Sequence, residues 1–396
     1  MVCAAIKSLL IYLVTIAMHR AHKIRLYPNN AQETILRQWC GVSRLAYNTC
    51  LDHWNNEYQA GNKPNYYSIK KWFNSIKHEM FPFISVASKW VSEAAIKDMS
   101  DAYIRFFKKQ NKHPKFHKKG IHDSFRIDGS VVKLDGRYLH LPKKLTLKMA
   151  EELRFDDVTK ICNVTVSRQA DRWFVSVLCE IPDVVRENQG TAVGIDMGLK
   201  ELATLSDGVV YDNPRWYVKR QRRLAHLQRG VSRKVKGSRN RDKAKARVAK
   251  YQYQTICKKM DYLHKCTSDI ANSYSVAFVE DLDIDGMKSN HHLAKSVSDA
   301  CMSTFLSQLD YKMPVTKIDR WYPSSKTCSN CGHVQDMPLS ERTYECPECG
   351  MVMDRDLNAA HNIYNIGMAN YSESKPVENE SLRSMKQESI SKLRFA

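Results

Sequence analysis

Four cysteines form two pairs of equal spacing, Cys328-x-x-Cys331 and Cys346-x-x-Cys349. Four thiolates arranged this way suit a tetrahedral structural Zn²⁺ ion. The other eight cysteines (Cys3, Cys40, Cys50, Cys162, Cys179, Cys257, Cys266 and Cys301) show no motif spacing, which fits a reducing compartment rather than a disulfide framework. Directly beyond the second pair, MVMDRDLNAAHNI carries Asp354 and Asp356 into an alanine-rich segment of helical pattern. Asp354 stands where an N-cap belongs, its carboxylate able to accept the free N–H groups of the first turn. Asp356 lies inside that turn and is the better metal ligand by position. Ala359 and Ala360 let such a helix lie close to a sheet, and a four-cysteine knot just upstream fixes where it starts.

Two more acids lie beside apolar secondary structure: Asp196 in VGIDMG and Glu280 at the end of YSVAFVEDLDI. A lone carboxylate at a strand end is usually a turn or cap residue, so Asp196, Glu280 and Asp356 matter only if the fold gathers them. Gathered carboxylates repel and call for cations, and hard oxygen donors suit Mg²⁺ or Mn²⁺. Two such ions about 3.5–4 Å apart activate a water and stabilise the leaving oxygen of a phosphodiester. Asp281, Asp283 and Asp285 follow Glu280 in a loop and are expected to face solvent, Asp207 belongs to a turn, and Lys326 is either exposed or a phosphate contact.

A polyanion is the partner class implied by a net charge of +20 on 396 residues. The excess is local. Pro214 to Lys259 hold 17 Lys or Arg against one acid, Asp242. Salt-bridge lacing needs both signs, so this segment reads as a helical hairpin (214–264) with a phosphate-binding face. Its candidates are Arg215, Lys219, Arg222, Arg223, Arg229, Arg233, Lys234 and Lys236, with Gly230 or Gly237-Ser238 as the turn.

The elements that must position these groups follow from periodicity. HRAHKIRLYPNN reads as a strand stopped by Pro28, and helices extend from there to about Lys109. From Ser124 the period becomes two. SFRIDGSVVKLDGRYLHLP has a two-residue hairpin turn at Asp135-Gly136, and CNVTVSRQADRWFVSVLCEIP a longer turn from Gln169 to Arg172. Together these predict a β-barrel interrupted by a helical insert at about 31–118, ending in a linker near 187–190. TAVGIDMGLKELATLSDGVVYDNP gives three short strands. Beyond Tyr371 the chain is polar and reads as a mobile tail. At the other end, the apolar run Ser8–Met18 is too short to span a bilayer, and translation from Met18 would make residues 1–17 an upstream extension. A cytoplasmic, nucleoid-associated protein without membrane or small-molecule partners is expected.

GIDMGLKELATLSDG, NPRW, VEDLDIDGM, DRWYPSSKTCSNCG and CPECGMVMDRDLNAAHNI, in this order, resemble the RuvC-like nuclease half of TnpB, the RNA-guided endonuclease of insertion sequences related to type V CRISPR effectors. KIRLYPNNAQE and PKFHKKGIHDSF are similar to that family's N-terminal wedge and recognition regions. The resemblance spans about 18–370. It implies an α/β and β multi-domain fold: an RNase-H-like (RuvC) nuclease domain (189–370) with an inserted zinc ribbon (326–350), and an oligonucleotide-binding-type β-barrel (18–188) carrying a helical insert. It further implies that Asp196, Glu280 and Asp356 bind the catalytic metals, that Cys328, Cys331, Cys346 and Cys349 bind zinc, and that guide RNA and target DNA are the partners. One departure is MPVTKI between SQLDYK and DRWYP, which is short for the family and lacks its glycine. That shortening is expected to strain the end of a helix and the start of the next strand, and a cleavage-impaired zinc-ribbon regulator is the competing reading. A DNA-joining transposase would share the metal chemistry.

Overall fold

The computed structural model describes residues 17–182, 190–338 and 340–374, in two compact units on either side of residues 183–189. The readings of residues 1–16, of the linker near 187–190 except for its last residue, and of the chain after 374 lie outside the described residues. No helix among the described residues is long and apolar enough to cross a membrane.

The first unit begins with β1 (Ala17–Leu26), which stops before Pro28, and three helices follow: α1 (Asn30–Gln59), α2 (Tyr66–Met80) and α3 (Lys89–Phe107). Asn29 and Gln32 start α1 with a capping box, the Gln32 N–H donating to Asn29 Oδ1 at 2.8 Å and the Asn29 N–H to Gln32 Oε1 at 2.9 Å. The strands are β2 (Ser124–Asp128), β3 (Lys133–Asp135), β4 (Tyr138–Leu141), β5 (Leu145–Lys148), β6 (Lys160–Gln169) and β7 (Arg172–Pro182). They make two antiparallel sheets, β2-β6-β7-β1 and β5-β4-β3. The Leu26–Met149 bridge joins their edges.

Both hairpin turns differ from expectation. Asp135 pairs with Tyr138, so the first loop is Gly136-Arg137, one residue later, with the positive φ (51°) at its glycine. Gln169 pairs with Arg172, which leaves a two-residue loop with Ala170 at φ 56°. Strand pairing closed that loop more tightly than its residue types suggested. Trp39, Phe73, Phe125 and Val175 lie in the core shared by helices and sheets.

The second unit is built on β8 (Ala192–Asp196), β9 (Glu201–Leu205), β10 (Val210–Asp212), β11 (Val276–Glu280) and β12 (Val315–Ile318). The sheet order is β10-β9-β8-β11-β12, antiparallel from β10 to β8 and parallel from β8 to β12. Between β10 and β11 come α4 (Trp216–Ser232) and α5 (Arg239–Ser273); α6 (Ile284–Ser289), α7 (Ala294–Ala300) and α8 (Met302–Asp310) follow β11. A hairpin of β13 (Thr343–Glu345) and β14 (Val352–Asp354) then leads into α9 (Arg355–Ser374). α9 runs through Tyr371, where a tail was expected to begin, because the Tyr371 ring packs 6.0 Å from that of Phe278.

Alternation along the strands separates two cores. Val193, Ile195, Ala277 and Val279 pack with α5 and α8, whereas Ala192, Val276 and Phe278 pack with Ile363 and Tyr364 of α9. Gly194 lies on the α9 side. A Cβ there would overlap the Ala360 carbonyl oxygen and come within 2.6 Å of the Tyr364 backbone nitrogen. Gly194→Ala is therefore expected to cost about 1–3 kcal/mol by forcing α9 off the sheet. Denaturant unfolding checks this, and a variant of unchanged midpoint would show that the helix has room to move.

The short helix-to-strand connection closes without a left-handed residue between Tyr311 and Pro314. The Lys312 and Met313 N–H groups both donate to the Leu309 carbonyl, at 2.9 and 3.0 Å. β12 pairs with β11 as far as Ile318 opposite Glu280. Upstream of α8, Cys301 takes a φ of 58° and separates α7 from α8.

Candidate active site, cysteine knuckles and basic arm

Asp196 ends β8 and Glu280 ends β11, and these parallel neighbours pair in register as far as Ile195 opposite Val279. Both carboxylates therefore leave the sheet at one end, and by alternation both lie on the face covered by α9. Asp356 sits in the first turn of α9. Burial first, then the charges of Glu280 and Asp356, push the Asp196 carboxyl up to about 8. Carboxylate oxygens are the donors that hard divalent cations take, and the mutual repulsion of the three acids is what such a cation would relieve. Glu280 accepts a hydrogen bond from the Ser324 hydroxyl, and Asp356 Oδ1 lies 3.7 Å from Arg342 Nη1.

Asp354 caps α9, its Oδ1 accepting the N–H groups of Asp356 at 2.9 Å and Leu357 at 3.2 Å. Asp281, expected to face solvent, is partly exposed and also pairs with Lys317 and Arg320, each at 2.8 Å, and the two cations keep its carboxyl below the usual range. Asp283 accepts the Gly286 N–H at 2.9 Å, and exposed Asp285 pairs with Lys288 at 3.1 Å. Lys326 Nζ pairs with Asp336 at 2.7 Å. Asp207 accepts the Val209 N–H at 3.1 Å, within its turn.

The Sγ atoms of Cys328, Cys331, Cys346 and Cys349 all lie within 4.8 Å of one another. Cys328–Cys349 and Cys331–Cys346 are 3.6 and 3.5 Å apart. Those separations are near the ~3.8 Å edge of a tetrahedron with Zn–S bonds of about 2.3 Å, and far beyond a disulfide bond of about 2.05 Å. The two knuckles share one design. Cys328 N–H donates to the His333 carbonyl at 2.8 Å and Gly332 N–H to the Cys328 carbonyl at 2.9 Å; Cys346 to Met351 (2.9 Å) and Gly350 to Cys346 (3.0 Å) repeat this. Gly332 (φ 78°) and Gly350 (φ 70°) occupy the left-handed position each knuckle requires.

Sequence reasoning missed two buried asparagines one turn apart on α9. Asn358 takes the Ser329 N–H on its Oδ1 (2.9 Å) and donates to the Thr327 carbonyl (2.7 Å); Asn362 donates to the Ser324 (2.8 Å) and Thr327 (2.6 Å) carbonyls. They bind the first knuckle to the helix bearing Asp356, and Ser324 continues the connection to Glu280. Polar residues at i and i+4 inside an otherwise apolar helical stripe were the available signal. Asn362→Ala is expected to cost about 1–3 kcal/mol by taking the side-chain donor from the Ser324 carbonyl, while the Thr327 carbonyl keeps its bond from Asn358. Denaturant unfolding checks this, and a variant with the wild-type midpoint would remove the connection.

The basic segment is a hairpin, and its turn uses Gly237 (φ 83°) rather than Gly230, which lies within α4. Ser238 caps α5, which continues to Ser273. None of the α4 residues is buried, and α5 buries only Leu263, Cys266, Thr267 and Ile270. The pair is thus an arm rooted at one end. Arg215, Lys219, Arg222, Arg223, Arg229, Arg233, Lys234 and Lys236 are all exposed. At the root, buried Asp299 does what no local residue does for α4: both its oxygens accept the Tyr217 N–H at 3.0 Å, and Oδ1 meets Lys259 Nζ of α5 at 2.5 Å. Nothing in the SDA tripeptide around Asp299 pointed to this long-range cap.

Residues 176–291 match a family profile described as "Probable transposase", and residues 303–363 one described as "Cas12f1-like, TNB domain". Residues 18–63 match a "Helix-turn-helix domain" profile, although they form β1, the single helix α1 and the turn after it. A Streptomyces pristinaespiralis protein named "Putative RNA-guided DNA endonuclease" is 35% identical over 366 residues, covering 88% of this chain and 90% of its own. The "Putative RNA-guided DNA endonuclease InsQ" of Escherichia coli K12 is 30% identical over 383 residues, covering 88% and 92%. In fold, the protein of a solved Cas12f1-sgRNA-target DNA complex superposes with a TM-score of 0.52 at 13% identity, over 88% of this chain and 98% of that one. The multi-domain α/β architecture is therefore Cas12-like and includes a TNB domain. On the strength of this shared sequence over nearly the whole length of two relatives, the chain belongs to the TnpB family of transposable-element RNA-guided endonucleases.

Proposed function

We propose that this protein cleaves DNA under the direction of a guide RNA, with Asp196, Glu280 and Asp356 as ligands to Mg²⁺ or Mn²⁺. The observation that carries this reading is the placement of the three acids: two at the same end of adjacent parallel strands, the third in the first turn of the helix covering that face. When bound, the ions supply an activated water and charge stabilisation at the leaving 3′-oxygen. The protein's own contribution is positional. Ser324 orients Glu280, Asp354 sets the start of α9, and the sheet fixes the spacing of Asp196 and Glu280.

The strand order β10-β9-β8-β11-β12 supports an RNase-H-like reading of this unit, and the Leu26–Met149 bridge supports an oligonucleotide-binding-type barrel in the other. Zn²⁺ at Cys328, Cys331, Cys346 and Cys349 holds the ribbon, and the basic arm takes guide or target phosphates.

A guided plasmid-cleavage assay in Mg²⁺, with and without chelator, tests the function. Expected are cuts at guide-matched sites that need the divalent ion. Guided occupancy without cuts would select instead the cleavage-impaired regulator. Strand-transfer products would select a transposase.

A further inference from the structure

The cysteine knuckles are not the only transition-metal donor set. His19 of β1, Cys162 of β6 and Glu180 of β7 also bring their ligand atoms within 4.8 Å of one another. The strand register explains the meeting. His19 pairs directly opposite Glu180, so the two side chains share a face at the closest cross-strand separation. Between β6 and β7 the register slips from Ile161–Cys179 to Asn163–Leu178. Cys162 is the extra residue of this bulge, and bulges re-aim a side chain out of simple alternation. Cys179, the neighbour of Glu180, is buried in the core, which puts Glu180 and its partners on the outer face. His19 is exposed and the other two half-buried, so an ion could reach the site from solvent.

We propose that His19, Cys162 and Glu180 bind a single transition-metal ion of the Zn²⁺ class. One imidazole nitrogen, one thiolate and one carboxylate oxygen match Zn²⁺ and its first-row neighbours and do not match Mg²⁺ or Ca²⁺, which take oxygen ligands. Three protein ligands leave the fourth position to water. The ion would tie the first residues of β1 to the bulge in β6 and the last turnings of β7, closing a long chain loop, so binding should stabilise the folded N-terminal unit by mass action.

The test uses the full chain, stripped of metal, reloaded with ZnCl₂ and freed of excess ion. Wild type should retain one zinc per chain more than either Cys162→Ser or His19→Ala, while the difference persists in an Asp196→Ala background that weakens the acidic site. Zn²⁺ should also protect Cys162 from alkylation in wild type, read by peptide mass spectrometry, and this protection should vanish in His19→Ala. Equal zinc content in all three proteins, or alkylation of Cys162 at the same rate with and without Zn²⁺, would overturn the proposal. The alkylation arm uses wild-type Cys162, so it stands even if the serine variant folds poorly.

Discussion

Asp196→Asn is expected to abolish guided cleavage and, in chelator, to raise thermal stability. The loss follows from the proposed role: removing a ligand that holds catalytic ions costs several kcal/mol of transition-state stabilisation, and at about 1.4 kcal/mol per tenfold this is three orders of magnitude or more. The gain follows from the surroundings. Burial and two neighbouring acids push the folded-state carboxyl up to about 8, whereas an unfolded Asp titrates near 3.9. A folded pKa raised above the unfolded one contributes stability that is fully present below about pH 4 and lost as pH rises through about 8. At neutral pH, wild type without divalent ions therefore carries a penalty that the neutral amide lacks. For a unit of this size each kcal/mol recovered corresponds to about 2–4 °C in Tm. Mg²⁺ should then raise the Tm of wild type and leave the variant nearly unmoved. Persistent cutting by Asp196→Asn would reject the site assignment; loss of both cleavage and stability would make Asp196 a structural residue.

What could be read in advance were features written in short windows. Four cysteines at fixed spacing and Asp354 at an N-cap position each depend on a few adjacent residues, and each is found as such in the structure, whereas the turn of the basic run, open between Gly230 and Gly237, falls at Gly237. That Asp196 and Glu280 share a face follows only once β8 and β11 pair as parallel neighbours. Features fixed by distant partners could not be read. Asp299 looks like an ordinary helical acid until Tyr217 and Lys259 arrive at it. Asp281 faces solvent as expected, but its pairing with Lys317 and Arg320 depends on β12 lying beside β11. Cys162 is one of eight unremarked cysteines until a register slip turns it toward His19 and Glu180. The one-residue shift of the Gly136 turn has the same origin, since the strands on either side, not the dipeptide, choose which residues pair.

The two acids that follow the knuckles should separate cleanly on substitution. Asp356→Ala is expected to eliminate cleavage without lowering the unfolding midpoint, because its carboxylate caps nothing, its charge adds to the repulsion on Asp196, and its partner Arg342 is 3.7 Å away and half exposed. At that length, with Arg342 half exposed, the pair contributes at most about 1 kcal/mol. Asp354→Ala removes the acceptor for two N–H groups at 2.9 and 3.2 Å, and loss of an N-cap costs about 0.5–2 kcal/mol. Its effect on cleavage should be partial and indirect, since the knuckles, Asn358 and Asn362 still hold the start of α9. Asp354→Ser supplies a capping oxygen without the charge and should restore both stability and cleavage, whereas Asp356→Ser should restore neither ligand charge nor activity. Paired measurement of unfolding and of single-turnover cutting decides the matter. If both alanine variants lose cleavage equally at equal stability, Asp354 is a ligand as well, and the helix must start by other means than its carboxylate.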